Sequence, residues 1–355
     1  MVARPDLPEE ILIHIFSRLP AKSVGKLRSL SKTWRNLLST PHFIKSHLAL
    51  QNTRNKSLIL IPPSSVIRCV ETIKGVYNNT VSRELNLPGL CCEFLGSCDG
   101  LVLLKNRDDE VFLVNPITMQ QSKIPDPPVP VLRNEALYGF GYDSVGDDYK
   151  VVAVFYPMSD NKTPVYIGRL VYVYYVKRGV WKKIESSPRH YGLPARFSGV
   201  FLNGAIHWLV PRSEDCAVIA ALDLDSEVFF EIPAPSVADM NDFFFGSLSV
   251  LGGCLCVVAD TLSNSEGTDV WVMKDYGAAE SWRKFTVSWY DFGDLFFKPL
   301  CFVGDGEEEV VLLVEGPRLV AYNVNEGTVR DMVVDRVQGR FLDGGTFVES
   351  LVSPA

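Results

Sequence analysis

Histidine and cysteine are the residue types in this chain best suited to metal binding or nucleophilic chemistry, and neither has the spacing that such chemistry needs. The eight cysteines include no Cys-x-x-Cys pair, so we predict reduced, buried thiols and no structural zinc site. His207 precedes Trp208, and we predict that it is a hydrogen-bonded residue of the core or of an interface between repeated units. No ligand or triad pattern relates the five histidines, which are residues 14, 42, 47, 190 and 207.

Acidic and glycine-rich segments are the next candidates. Asp143, Asp147 and Asp148 suggest calcium, but no EF-hand pattern or nonapeptide repeat surrounds them, so we predict solvated turn carboxylates. Glu307 to Glu309 is predicted to be an exposed hairpin tip, with contact to a basic partner as the alternative. The glycines at 139, 141 and 146 lack dinucleotide-binding spacing, and no nucleophile motif is visible. We therefore predict no catalytic residue, no metal and no cofactor.

The composition of the chain indicates which secondary structure carries these residues. The chain has 355 residues, 47% of them apolar, with 26 Gly, 22 Pro and 39 aromatic residues, which suits short strands and tight turns. Residues 1–50 have a net charge of +5, so the remainder carries −12, which favours an acidic partner for the front segment and argues against nucleic acid for the rest. Because no signal segment or run of 18 apolar residues occurs, we expect an intracellular protein of the cytoplasm and nucleus, not inserted in a membrane.

The first fifty residues have helical periodicity. Asp6 and Glu9 form a capping-box-like start, and an apolar stripe follows that Pro20 ends. A second short helix follows, Ser31 can cap a third, and a final turn comes after Pro41. So small a unit cannot bury the stripe alone, so we expect a partner helix to cover it. The alternatives are packing on the rest of the chain and, less favoured, a basic DNA-binding helix-turn-helix. The stripe consists of Ile11, Leu12, Ile15, Phe16 and Leu19.

The remaining residues show a repeat. Asp99-Gly100, Asn203-Gly204 and Gly252-Gly253 each precede a strand-like run, which is typical of β-hairpins with positive φ at the turn. With weaker signals at Gly146 and Gly306, the spacing is near 50 residues, that of kelch-type propeller blades. We predict a mainly β chain with about six blades, five or seven being the alternatives. Pairing of Phe347-Val348 with Leu58 to Ile61 is expected to close the ring.

Two regions of the chain resemble known families. The segments Leu7 to Val24, Leu27 to Leu38 and Pro41 to Phe43 together resemble a three-helix F-box. That family docks on an Skp-family adaptor, which links it to a cullin and a RING subunit. The resemblance assigns adaptor binding to Leu7, Pro8, Ile11, Leu12, Ile15, Phe16, Leu19, Pro20, Leu27, Trp34 and Leu37.

Residues 51–355 resemble the F-box-associated domain of plant F-box proteins. Val270 to Tyr276, with Ser281-Trp282 and Arg18 to Lys22, is similar to the subgroup that promotes turnover of intracellular immune receptors and so restrains defence. The other motifs that carry the likeness are Ser97 to Leu101, Asn115-Pro116, Tyr138 to Asp143, Asp148 to Val152, Asn203 to Trp208 and Phe347 to Leu351.

Together these patterns predict a two-part protein with an F-box over residues 1–50 and a substrate-binding propeller over residues 51–355. We expect a non-catalytic substrate receptor of a ubiquitin ligase, recruiting a protein for degradation, with a non-degradative scaffold or a propeller enzyme as alternatives. We expect that adaptor binding and substrate binding can be lost independently, so that trimming residues 340–355 spares adaptor binding. The substrate-binding residues are not readable from the sequence.

Overall fold

The computed structural model describes fifteen segments of the chain. They are residues 8–51, 56–62, 66–70, 82–85, 89–128, 136–155, 170–184, 198–213, 216–235, 243–261, 267–288, 296–303, 306–314, 318–332 and 341–354.

Four helices form the N-terminal module. Helix α1 begins directly after Pro8, and the predicted capping residue Asp6 lies outside the described residues. Ser31 caps α3 as predicted, because its side chain accepts a hydrogen bond from the Trp34 amide at 3.1 Å. The expected final turn is a full helix, α4. The bounds are α1 Glu9–Phe16, α2 Ala21–Leu30, α3 Lys32–Leu38 and α4 Pro41–Gln51.

The rest of the described chain is a β-propeller of six blades, as predicted. Each blade is an antiparallel sheet of four strands. The first blade combines β1 (Ser57–Ile61), β2 (Ile67–Val70) and β3 (Ser82–Leu85) with β24 (Asp343–Phe347). The other blades follow the chain: β4 Cys91–Cys98, β5 Leu101–Asn106, β6 Val111–Asn115, β7 Gln120–Ile124; β8 Ala136–Asp143, β9 Asp148–Phe155, β10 Leu170–Tyr175, β11 Val180–Ile184; β12 Val200–Leu202, β13 Ala205–Ser213, β14 Cys216–Asp223, β15 Phe229–Pro233; β16 Phe243–Leu251, β17 Cys254–Thr261, β18 Gly267–Met273, β19 Trp282–Ser288; β20 Phe297–Phe302, β21 Glu309–Val314, β22 Arg318–Asn323, β23 Thr328–Asp331.

The extent to which each strand is buried explains which residue types it contains. All eight residues of β9 are buried, because blades pack on both faces of a middle strand, and its last five residues are accordingly all apolar. The outermost strands β7 and β11 are largely exposed and carry Gln and Lys, which discourages pairing with other sheets. The three predicted hairpin turns are confirmed, with φ between 49° and 82° at both central residues of each.

Tryptophan side chains join neighbouring blades at their outer strands. The Trp181 indole donates a hydrogen bond to the Pro125 carbonyl, which follows the outer strand of the preceding blade, at 2.8 Å. The Trp282 indole donates to the carbonyl of Pro233, the last residue of the outer strand of the preceding blade, at 3.1 Å. The repeat thus places the same donor and acceptor at two blade interfaces.

Closure of the ring is as predicted. Strand β1 pairs with β24 in antiparallel register, from Ser57 opposite Phe347 to Ile61 opposite Asp343. Phe347 is 3% exposed and packs in one cluster with Ile59 and Ile61. Ring closure therefore joins strands almost 300 residues apart and leaves β1 without an open edge.

The closing strand generates a stability prediction. Phe347→Ala leaves a cavity at the closure and is expected to lower the free energy of unfolding by about 3 kcal/mol or more, measured by urea denaturation followed by tryptophan fluorescence. The control is Val180→Ala on the outer strand β11, where the side chain is 51% exposed and the expected loss is below about 0.5 kcal/mol. Equal losses in the two variants would show that closure does not limit stability.

Candidate functional site

An apolar surface on helix α1 is the strongest candidate for partner binding. Ile11 and Ile15 lie one helical turn apart and are 46% and 44% exposed. Pro8 and Pro20, which flank this part of the chain, are also exposed. Large β-branched side chains left in water are costly, so this surface is suited to contact with another protein.

The structure corrects one member of the predicted exposed stripe. Phe16 is 7% exposed, so the prediction that it is an exposed member of the stripe is wrong. Its assignment to adaptor binding stays a prediction. Its ring lies 4.5 Å from the ring of Trp34 and packs with Val24, Leu38 and Phe43 in the core of the helical module. The helical period determines the stripe, but the fold of α2 to α4 decides which edge of it turns inward.

The other leucines predicted to contact the adaptor, and Trp34, are less exposed than Ile11 and Ile15 and less buried than Phe16, except Leu7. Leu12, Leu19, Leu27 and Trp34 are half-buried at the border of the module's core, and Leu37 is half-buried as well. Leu7 lies outside the described residues. Leu30, at the end of α2, is 75% exposed and is not among the predicted contacts, although it follows Leu27 at helical spacing within the F-box motif.

The helical module is seated on the propeller through α4. Ile44 and Leu48 pack against a core cluster of the second and third blades. Lys45 pairs with Asp147 of the β8–β9 turn at 2.8 Å. Ile117, in the turn between β6 and β7, joins the core of the module itself. Packing on the rest of the chain thus occurs, but it uses α4 and leaves Ile11 and Ile15 exposed.

The segment after β24 completes the helical module. Leu351 is 2% exposed and belongs to the same cluster as Phe16 and Phe43, whereas the next residue, Val352, packs in the propeller core. Asn115, which is fully buried, donates hydrogen bonds to the carbonyls of Ser350 at 3.2 Å and Val352 at 2.7 Å. Residues 350–352 therefore contact both parts, which argues against the expectation that trimming the C-terminal residues spares the helical module.

Two of the three predicted turn carboxylates are in fact buried. Asp143 pairs with buried Lys150 at 2.9 Å, and Lys150 also reaches Glu227 of the next blade at 3.0 Å. Burial alone would raise the pKa of Asp143, but hydrogen bonds from the Gly146 amide and Lys150 lower it. Asp148 is also buried and accepts a hydrogen bond from the Lys177 amide at 2.8 Å. These residues join strands and blades, and no metal-holding group of acids, His or Cys occurs among the described residues.

Asp147 remains half exposed, as predicted for a turn carboxylate. Its contacts with Lys45, then Tyr142 and Lys177, hold its pKa well below the usual range. Glu307 and Glu308 are exposed beside β21, in agreement with the predicted tip, and Glu307 pairs with Lys274 at 2.5 Å. Glu309, the third residue of the predicted tip, instead begins β21, is half-buried and pairs with Arg330 at 3.0 Å.

His207 is a buried residue between blades, as predicted. One ring nitrogen, Nδ1, lies 3.2 Å from the Val200 carbonyl, and Nε2 lies 2.7 Å from the hydroxyl of Tyr276 in the next blade. The neutral ring can donate from Nδ1 and accept from Tyr276. Burial lowers the pKa of His207 to about 4, which keeps the ring neutral. Cys69, Cys91, Cys98, Cys254, Cys256 and Cys301 are free thiols, and burial raises the pKa of Cys69 and Cys256 to about 12.

The comparisons with known proteins identify both parts of the chain. Residues 5–46 match the F-box domain, and residues 34–354 match the F-box associated beta propeller domain. The chain belongs to the F-box protein family. F-box protein CPR1 of Arabidopsis thaliana is 31% identical over 344 residues, covering 90% of this chain and 82% of the relative. The Arabidopsis F-box/kelch-repeat protein At3g23880 is 29% identical, with the match covering 100% of this chain and 97% of the relative.

Membership of the F-box family indicates which class of partner this surface binds. An F-box implies binding to an Skp-family adaptor within an Skp-cullin-F-box complex, and F-box proteins with a propeller are typically substrate adaptors, not enzymes. None of the helices in the described segments is both long and apolar enough to span a bilayer.

The shared role of the segment after β24 can be tested in this F-box protein. Leu351→Ala is expected to lower stability by about 2 to 5 kcal/mol and to speed amide hydrogen exchange in α1 to α4. The matched control is the adjacent Val352→Ala, which should speed exchange in the second and third blades instead. The measurement is hydrogen–deuterium exchange by mass spectrometry, and identical exchange maps for the two variants would contradict the assignment.

Burial of His207 predicts a pH dependence of stability. Its pKa is about 4 in the fold, against about 6.5 in an unfolded chain. The unfolded state therefore binds the proton more readily, so the contribution of His207 is complete above about pH 6.5 and declines by about 3 kcal/mol as the pH falls to about 4. His207→Gln should reduce the slope of the unfolding free energy with pH in this window. An unchanged slope would mean that other groups cause the dependence.

Proposed function

We propose that this chain is the substrate-recognition subunit of an Skp-cullin-F-box ubiquitin ligase. The observation that carries the proposal is the exposed apolar pair Ile11 and Ile15 on a helical module that is fixed to a propeller. The pair supplies the adaptor contact, and the half-buried Leu12, Leu19, Leu27, Trp34 and Leu37 border it. The buried ring of Phe16 packs against the ring of Trp34, which is one of these bordering residues.

Adaptor binding by these residues would follow the usual energetics of interfaces. Apolar anchors near the centre of an interface carry most of the binding energy, whereas exposed charges mainly steer association. The net charge of +5 over residues 1–50 favours an acidic adaptor in that way. Through the adaptor, a cullin and its RING subunit would bring the charged ubiquitin-conjugating enzyme close to the substrate.

The propeller would hold a protein substrate. The described helix contacts involve the turns β6–β7 and β8–β9 and the segment after β24, so the F-box occupies one face of the ring. The opposite face of the ring would then point away from the adaptor. The similarity of Val270 to Tyr276 to plant F-box proteins that restrain defence makes an intracellular immune receptor the candidate substrate. We place the F-box in residues 1–50 and the substrate domain in residues 51–355, with Leu351 completing the former.

A fixed F-box suits proximity catalysis. Transfer of ubiquitin needs a substrate lysine held near the thioester, and a rigid connection raises its effective concentration more than a flexible linker does. The packing of Ile44 and Leu48 and the Lys45 to Asp147 pair provide such a connection. The chain itself would contribute position and no chemical step.

Replacement of the apolar pair tests adaptor binding. The double variant Ile11→Ala, Ile15→Ala is expected to weaken binding by about 3 kcal/mol or more, because it truncates two anchors. The measurement is titration of the purified full chain with an Skp-family adaptor by calorimetry. The control double variant, Val145→Ala and Val228→Ala, removes comparable apolar surface on the propeller, where these residues are 74% and 59% exposed, and should bind normally.

The same variant separates a degradative receptor from a non-degradative scaffold. Because Ile11 and Ile15 are exposed, the variant should keep its fold and its substrate while losing the adaptor. When expressed in cells, it should compete with the intact protein and raise the abundance of the co-purifying substrate. Undiminished adaptor binding would disprove the assigned site, whereas a lost adaptor with unchanged substrate levels would favour the scaffold.

A further inference from the structure

A cavity of about 350 Å³ lies in the central channel of the propeller. Most of its lining residues belong to, or directly precede, the inner strands of five blades, which are β24, β4, β12, β16 and β20. Half-buried apolar side chains form much of the wall, among them Phe94, Val200, Phe201 and Val250. Because a cavity of roughly 150 Å³ already accepts a benzene ring, this one has room for about two large apolar side chains.

The inner strands begin on the face of the ring opposite the F-box. Strand β8 ends in the turn where Asp147 pairs with Lys45 of α4, and β4 ends beside Gly100, which is packed against Ser350. Because the blades repeat one strand order around the ring, the first residues of the inner strands lie away from the helices. Leu342, directly before β24, lines the cavity and is 47% exposed, so the cavity reaches solvent on this far face.

Two large apolar side chains are exposed at this mouth. Leu342 directly precedes Asp343 of β24. Phe296 is 56% exposed and lies two residues before Lys298 of β20, which is about 7 Å along a strand. Lys298 donates to the Asp343 carboxylate at 3.3 Å and to the Gly344 carbonyl at 3.0 Å, which holds the two strands side by side. Exposed apolar side chains around a cavity are suited to a partner that fills it.

The charged residues of the wall balance one another. Two cations and two carboxylates are among the described lining residues, namely Lys56, Lys298, Glu93 and Asp343. Lys298 pairs with Asp343, and Glu93 pairs with Lys105 at 2.6 Å. A charged group that entered the cavity would have to break one of these pairs or be buried without a counter-ion, and either is costly. The wall therefore selects an uncharged group.

We propose that the mouth of this cavity is the substrate-binding surface, and that it receives an uncharged loop of the substrate protein with large apolar side chains at its tip. The proposal rests on the proposed function, which makes the partner a substrate. The described contacts of the helices lie on the other face of the ring, so the substrate and the adaptor can be bound at the same time. A nucleic acid fits less well, because no excess of cations lines the cavity.

The test uses the purified full chain and a fluorescein-labelled cyclic hexapeptide that presents Leu-Phe at its turn. Matched cyclic peptides present Lys-Lys or Asp-Asp instead. Anisotropy titration at about 0.15 M salt should show at least about tenfold tighter binding of the Leu-Phe peptide than of either charged peptide, with little dependence on salt. Equal binding of the three peptides, or no binding of the Leu-Phe peptide, would overturn the proposal.

Leu342→Ser removes an apolar side chain from the mouth and should weaken binding of the Leu-Phe peptide at least about tenfold. The matched control is Val228→Ser in the β14–β15 turn, where the side chain is 59% exposed on the F-box side of the ring. Its expected effect is less than about twofold. Because both side chains are largely exposed, neither variant should lower the melting temperature appreciably. Equal losses of peptide binding in the two variants would contradict the site.

Ser198→Trp tests the cavity itself. Ser198 is half-buried in the wall just before β12, and tryptophan at this position fills the space without a change of charge. The variant should weaken the Leu-Phe peptide at least about tenfold while the melting temperature and the affinity for the adaptor stay unchanged. Undiminished peptide binding would show that the cavity does not receive the apolar side chains.

Lys298→Met tests the role of the balanced charges. It leaves the Asp343 carboxylate without this ammonium partner, so the Lys-Lys peptide should bind at least about fivefold more tightly to the variant than to the parent protein. Unchanged affinity for the Lys-Lys peptide would contradict the argument that the paired charges exclude a charged loop.

Two further measurements identify the occupant. A dimer in analytical ultracentrifugation that dissociates in Leu342→Ser would replace the substrate with a second copy of this chain. Leu342→Ser should bind an Skp-family adaptor as the parent does, whereas the double variant Ile11→Ala, Ile15→Ala should bind the Leu-Phe peptide as the parent does. Failure of the proposed function would therefore appear in the adaptor titration, and failure of this proposal in the peptide titration.

Discussion

Antiparallel pairing between β1 and β24 is the interaction on which the rest of the structure depends. It closes the ring of blades, and it also delivers residues 350–352 to the space between the second blade and the helices. A sheet edge left open at β1 would expose unpaired backbone groups, and the F-box would lose Leu351 from its core. The same strand pairing therefore closes the ring and positions the residues that complete the F-box core.

Local physics explains the parts of this fold that could be read from the sequence. Asp99-Gly100 needs only its own backbone preferences to form a hairpin turn, and Ser31 needs only the amide of Trp34 three residues later. The ring could be anticipated because such turns recur at a nearly constant interval. The closing pair could be anticipated because a propeller has one unpaired early strand for a late strand to join.

What could not be predicted depends on contacts between distant residues. Phe16 and Ile15 are neighbours in one apolar stripe, and only the packing of α2 to α4 around Phe16 decides that it turns inward. Asp143 resembles any turn carboxylate until Lys150 and, through it, Glu227 of another blade are brought beside it. Leu351 lies in a short polar and apolar segment that shows no helical or strand period, so nothing local indicates that it completes the F-box core.

The placement of Leu351 also has a consequence for biosynthesis. On the ribosome the four helices emerge before any blade, but the side chain that fills their core directly follows Ser350, which lies 235 residues after its hydrogen-bond partner Asn115. At a synthesis rate of about 5 to 20 residues per second, the helices wait for tens of seconds with that space unfilled. A nascent chain with an unfinished ring therefore presents an imperfect F-box, so recruitment to a ligase would be coupled to completion of the propeller, and partly made receptors would be poor competitors for the adaptor.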